Sequence, residues 1–153
     1  MGAEARLEEL GIELPAPGAP VANYVRARKV GDLLFVAGHG PGRDAGGQRI
    51  TGKVGRELTL EQGYQAARLT GINLLASLRA ELGSLDRVRC IVKVLGMVNC
   101  APGFDKTPAV INGCSDLFVE VFGEAGRHAR SAVGMAELPE SIPVEIEMIV
   151  QVD

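Results

Sequence analysis

Residues 59–82 carry apolar side chains at three- and four-residue steps: Leu60, Tyr64, Ala67, Gly71, Leu74, Leu75, Leu78 and Leu82. A stripe this long predicts one amphipathic helix whose apolar face must be covered. Thr59 with Gln62 forms a capping-box pattern and Gly83 supplies a stop. The small residues Ala66, Ala67 and Gly71 in the middle of the segment suit close approach to a sheet. That sheet is predicted from alternation. Residues 88–100 set Val88, Cys90, Val92, Val94 and Val98 against Arg89, Ile91, Lys93, Leu95 and Met97, and residues 143–152 set Val144, Ile146, Met148 and Val150 against Glu145, Glu147, Ile149 and Gln151. A second helix is expected over residues 108–122, with Pro108 in its first turn and Val110, Ile111, Cys114, Leu117, Phe118, Val121 and Phe122 inward. Residues 24–36 read as a hairpin around Gly31 and Asp32, and residues 129–136 as a further strand. The order ββαβαββ implies an α+β domain, a single sheet with two helices on one face. The other sheet face mixes apolar and charged residues, which points to burial against other copies of the chain.

At 153 residues, with 46% apolar content, the chain has room for one domain with an ordinary core. A net charge of −3 and only 4% aromatic residues, with no Trp, argue against nucleic acid or an anionic membrane as partner. The acidic N-terminus lacks a signal-peptide pattern, and no apolar run is long enough to span a bilayer. Cys90, Cys100 and Cys114 match neither a disulfide framework nor a zinc site, so a reducing cytoplasm is the expected compartment. Residues 1–21 read as an extension: two helical turns stopped by Gly11, then a tether with Pro15, Pro17 and Pro20. They could cap a neighbouring subunit or hang free. The domain proper is expected over residues 22–153.

Residues 38–58 hold seven glycines and no apolar period, which marks a mobile or functional loop. A dinucleotide fingerprint fails there, because Pro41 interrupts the run and no helix opens directly after it. His39 and His128 are the only histidines and stand in no metal-ligand spacing, so no metal site is expected. The cysteines fall on inward stripes and read as small hydrophobes. Arg127, His128 and Arg130 gather cations where a loop enters a strand, which fits either a carboxylate seat or a solvated basic turn. Glu145 and Glu147 share a strand face, as an acid or base pair or as a sheet salt bridge.

Several stretches together resemble the reactive intermediate deaminase family, RidA, formerly YjgF. They are Asn23-Tyr24, LLFVAGHGP at 33–41, the helix with Ala66-Ala67, IVKVLGMVN at 91–99, FDKTPAVINGCSDLFVEVFG at 104–123, HARSAVGMAELP at 128–139 and VEIE at 144–147. The resemblance implies a chorismate-mutase-like fold, a homotrimer with clefts between subunits, and a divergent branch with an N-terminal extension. It also implies hydrolysis of 2-imino or 2-enamino acids to 2-oxo acids and ammonia without cofactor or metal. Arg130 matches the arginine that binds the substrate carboxylate, and Glu145 the glutamate that positions water. Tyr24, Asn112, Gly38, His39 and Ala132 match further cleft positions. Three positions depart from the family pattern: Ala37 and His39 stand where typical members have Ser and Gln, and Ala132 where many have Cys. His39 could then carry a proton or mark a different ligand. The alternative is a non-catalytic trimer that binds a small carboxylate metabolite. RNA cleavage or translation inhibition, which family names also carry, fits an acidic chain with few aromatics poorly.

Overall fold

The long apolar stripe becomes a helix whose start is fixed by reciprocal hydrogen bonds. Thr59 Oγ1 accepts the Gln62 backbone N–H at 3.1 Å, and Gln62 Oε1 accepts the Thr59 N–H at 2.9 Å. The computed structural model describes residues 1–153 and contains helices α1 (Ala3–Leu10), α2 (Leu60–Leu82) and α3 (Thr107–Phe122). Its strands are β1 (Ala27–Val30), β2 (Leu33–His39), β3 (Val88–Asn99), β4 (Ala129–Met135) and β5 (Val144–Val152). They form one mixed sheet in the order β1-β2-β5-β3-β4, with β3 and β4 parallel and the other pairs antiparallel. The parallel pair needs a crossover, and α3 supplies it.

β5 lies inside the sheet and keeps the expected alternation. Val144, Ile146, Met148, Val150 and Val152 are buried on the side where α2 packs, with α3 over the neighbouring β3 and β4, and Glu145, Glu147, Ile149 and Gln151 face the other way. β3 does not keep it. Its register against β5 shifts between Val88 and Cys90 and again between Ile91 and Lys93. Each bulge puts two residues of β3 opposite one step of β5, so the inward positions become Val88, Ile91, Val94 and Val98. Ile91 is therefore core, Val92 is exposed, and Cys90 turns outward beside Gln151, against the simple alternation. Cys114 alone of the three cysteines is fully buried. The outward face carries Phe35, Val92 and Val133 at 42, 38 and 40% exposure, an apolar surface unlike that of a solvated sheet.

α1 forms where the sequence places two helical turns, and it docks on its own chain. Ala3 and Leu7 join the core. Glu4 accepts the Leu85 N–H at 2.8 Å and meets Arg79 at 3.2 Å, and Asp86 accepts the Glu4 N–H at 3.1 Å. The glycine-rich stretch is also tied in. Val54 is fully buried and bridges Cys100, while Lys53 Nζ donates to Asn99 Oδ1 at 2.6 Å and to the Ala136 carbonyl at 2.5 Å. No helix is long and apolar enough to cross a membrane.

α2 and α3 approach so closely that a Cβ at Gly113 would stand 2.0 Å from the Tyr64 carbonyl oxygen. Tyr64 and Asp116, hydrogen-bonded at 2.7 Å, and Arg68 and Glu120, paired at 2.7 Å, clasp the same seam. Because a helix backbone cannot yield as a side-chain tip can, Gly113→Ala is expected to cost about 3 kcal/mol, the upper end for overpacking. Chemical denaturation checks this, with Gly18→Ala, which meets nothing within 4 Å, leaving stability unchanged.

Candidate functional site

Arg130 stands opposite Val94 in the β3–β4 register, on the helix side of an edge strand. From there its guanidinium reaches α3. Nη1 donates to Asn112 Oδ1 at 2.8 Å and to Ser115 Oγ at 3.0 Å, two acceptors one helical turn apart. Both partners are neutral, and no carboxylate of the chain pairs with this arginine. Its Nε and Nη2 donors remain available, the edge of the fork that suits a planar carboxylate.

Ser115 is held in turn by His128. The Gly126 carbonyl can only accept, so His128 Nδ1 donates to it at 2.7 Å, and Nε2 accepts the Ser115 hydroxyl at 2.9 Å. Burial first, and the nearby Arg130 charge second, pull the His128 pKa below its ordinary value, and Phe118 meets the ring edge-on at 5.9 Å.

Glu145 lies on the opposite side of the sheet, facing Met97 of β3. It is half-buried, and burial, with the Glu147 charge as the smaller cause, raises its pKa above the usual carboxylate range. Between Val36 and His39 the register of β2 against β5 shifts, and Gly38 falls in that irregularity. A Cβ at Gly38 would stand 2.8 Å from Glu145 Oε2 and 3.0 Å from its Cδ, so the glycine gives the carboxylate its berth.

Beyond the irregularity His39 returns to the helix side, opposite Ile146. Its Nδ1 donates to the Ala37 carbonyl at 2.7 Å, and Nε2 accepts the Ser77 hydroxyl of α2 at 2.7 Å. Burial lowers its pKa. His39 and Ser77 line an open cavity of about 790 Å³ together with Tyr24, Arg26, Asn73 and the tether at Pro17.

The candidate residues therefore fall into three places. Arg130 and Asn112 are joined directly; Gly38 and Glu145 touch; Tyr24, Gly38 and His39 line the cavity. Ala132 follows Arg130 on the same side of β4, packs against the core and offers its carbonyl to Thr107 Oγ1 at 3.1 Å. One chain does not bring Arg130 and Glu145 together, because they occupy opposite sides of the sheet on strands separated by β3. Ser115, Ser77 and Lys53 escaped the sequence reading. Only Ser115 carries a sequence signal, its place three residues after Asn112 on a helix opposite the basic strand. No group of three His, Cys, Asp or Glu side chains converges as a metal site.

A model of the family described as YjgF/chorismate-mutase-like, "putative endoribonuclease", matches residues 4–144. The chain is 45% identical over 150 residues to protein TCP17 of Trypanosoma cruzi, covering 97% of this chain and 93% of that one. A Shewanella oneidensis structure whose description carries the same endoribonuclease wording superposes with a TM-score of 0.93 at 31% identity, over 99% of this chain and all (100%) of the other. RidA from an Antarctic Psychrobacter superposes with a TM-score of 0.58, also at 31% identity, over 90% of this chain and 94% of that one. At equal identity the Shewanella structure thus shares the whole architecture, N-terminal part included, more closely than RidA does. From the matched span, the five-stranded sheet under its helices and these relatives, the chain belongs to the YjgF/RidA family.

Proposed function

We propose that the protein hydrolyses reactive 2-imino and 2-enamino acids to 2-oxo acids and ammonia, in clefts that form between subunits of a homotrimer in the cytoplasm. The observation that carries this reading is Arg130, an arginine held by two neutral acceptors and left without an acidic partner. A second observation is the partly desolvated Glu145 on the opposite side of the sheet. A substrate that uses both groups must lie between two chains. The apolar outward face around Phe35, Val92 and Val133 is the surface available to join them.

The chemistry needs orientation more than force, because an iminium carbon is already electrophilic. Arg130 of one chain takes the substrate carboxylate through Nε and Nη2. Glu145 of its neighbour, ionised, accepts a proton from water as the oxygen attacks C2, and the C=N double bond becomes single. The protonated Glu145 returns that proton to nitrogen. As the C–N bond of the resulting carbinolamine breaks, the re-ionised Glu145 takes the hydroxyl proton, so that ammonia leaves and the carbonyl of the 2-oxo acid forms, and the proton then passes to solvent. An enamine enters the same route after protonation at C3. Tyr24 and His39 line the helix-side cavity, which meets Glu145 only through Gly38, and His39, hydrogen-bonded at both ring nitrogens with its pKa lowered by burial, stands where typical members have glutamine.

Imino acids generated in place by an amino-acid oxidase and trapped with semicarbazide test this directly. The wild-type protein should divert them to oxo acid. Arg130→Ala should lose about 100-fold or more of that activity, the worth of two charge-assisted hydrogen bonds, while eluting as the same oligomer. Turnover retained in the variant sinks the reading. Arg130-dependent carboxylate binding without turnover would instead favour a metabolite-binding trimer, which the missing hydroxyl and thiol at Ala37 and Ala132 would suit.

The pH dependence has a definite sign. A base works only when ionised, so kcat/KM should fall as pH drops through the Glu145 pKa, which lies above the ordinary carboxylate range. Glu147→Gln removes the like charge that helps to raise it, and the acid limb should move to lower pH. An unmoved limb would remove Glu145 from the role of base.

A further inference from the structure

The helix-side cavity of about 790 Å³ is lined by neither Arg130 nor Glu145. It meets the proposed reaction only at Gly38, whose other side gives Glu145 its berth. One wall of the cavity is the extension, through Glu13 and residues 15–20, and another is the end of β2 with the glycine run that follows it. The floor is α2. Leu69, Ile72 and Ala76 stand at i, i+3 and i+7, one face of that helix, so the floor is apolar. The volume falls within the range of small-molecule sites, about 300–1,000 Å³, and a bare inorganic ion would leave most of it unfilled.

Two arginines line this cavity, and each is held by one backbone carbonyl. Arg26 Nη1 donates to the Gly18 carbonyl at 2.6 Å, and Arg43 Nη1 to the Gly47 carbonyl at 2.9 Å. Neither forms an ion pair. Burial first, and the Arg26 charge to a lesser degree, lower the His39 pKa, which sets this guanidinium near the imidazole. With His39 neutral, the lining carries two positive charges against one carboxylate, Glu13. That balance suits a ligand with a single negative charge. A multiply charged phosphate would meet the Glu13 carboxylate with too little compensation.

We propose that this cavity is a second binding site, for an organic monocarboxylate with an apolar body. Arg26 takes the carboxylate, Arg43 adds the second positive charge, and the α2 floor takes the body. The site is separate from the proposed reaction and stands whether or not the protein hydrolyses imines. Arg26 joins ligand to wall: Nη1 holds the tether at Gly18, and Nε and Nη2 remain as the edge that suits a planar carboxylate. A filled site therefore ties residues 15–20 to the domain more firmly than an empty one. The extension, which contributes nothing to Arg130 or Glu145, becomes a wall that the ligand completes.

The test is a calorimetric titration at neutral pH with phenylacetate, a monocarboxylate with an aromatic body and neither a C=N bond nor a 2-oxo group. It is made in Arg130→Ala, which lacks the proposed substrate seat. Phenylacetate should still bind there saturably, one per chain. Adding Arg26→Gln, which keeps an amide donor for the Gly18 carbonyl but no charge, should weaken binding about tenfold or more, the worth of one hydrogen bond to a charged group. Arg43→Gln should weaken it by a smaller factor. Phenylacetamide, the neutral isostere, should also bind about tenfold or more below phenylacetate. Acetate, which has no body for the floor, should bind more weakly still. Hydrogen exchange at the Ala16, Gly18 and Ala19 amides should slow when phenylacetate is bound. Binding seen in the wild-type protein but absent from Arg130→Ala belongs to the cleft between subunits; it overturns the second site and leaves the deaminase reading standing. Unchanged affinity in the Arg26→Gln variant, or equal binding of phenylacetamide, overturns recognition of a carboxylate in this cavity. Unaltered exchange along the tether overturns its part as a wall. Absence of saturable binding overturns the proposal as a whole.

Discussion

The pairing of β5 with β3 is the constraint from which the rest of the structure follows. β5 is inside the sheet with strict two-faced alternation, so its register decides which side of the molecule each functional group can occupy. Its inward face takes α2, with α3 beside it on β3 and β4; its outward face takes Glu145 and Glu147. β3 must match this strand over its length while also carrying β4 in parallel on its other edge. Two bulges reconcile those demands. By adding local twist they also let the first half of β3 present Ile91 to the core without displacing Val94.

Helix α3 then does two jobs with one surface. As the crossover between parallel strands it must pack on the sheet, which its buried face does through Val110, Ile111, Leu117 and Phe118. The flank that meets β4 carries Asn112 and Ser115, and those two side chains orient Arg130. The close seam with α2 at Gly113 lies between them in sequence, so the backbone that presents the acceptors is pinned on both sides. A loosened α2–α3 contact would therefore be felt at the guanidinium before it was felt in the sheet.

Much of this was legible in the residues. The element order, the capped α2, the inward face of β5 and the hairpin around Gly31 follow from periodicity and turn chemistry, which are local. The bulges in β3 were not, because Val88, Cys90, Val92 and Val94 alternate correctly on paper and only pairing with β5 reveals the shifted phase. The glycine-rich stretch looked free because its anchors, Val54 and Lys53, are held by partners distant in sequence. At the site, Arg130 and Glu145 stood out by residue type and by family resemblance. Ser115 and Ser77 did not, since a serine beside a histidine acquires meaning only when folding brings an acceptor nitrogen within 3 Å, here 2.9 and 2.7 Å.

The placement of Arg130 and Glu145 on opposite sides of one sheet has a genetic consequence under the proposed assembly. A chain without the arginine still offers a carboxylate to its neighbour, and a chain without the carboxylate still offers an arginine. Mixed in one ring, two individually dead alleles would rebuild a working cleft at the junction where the intact halves meet. Complementation of this kind would make the ring, rather than the single chain, the unit on which selection sees the site.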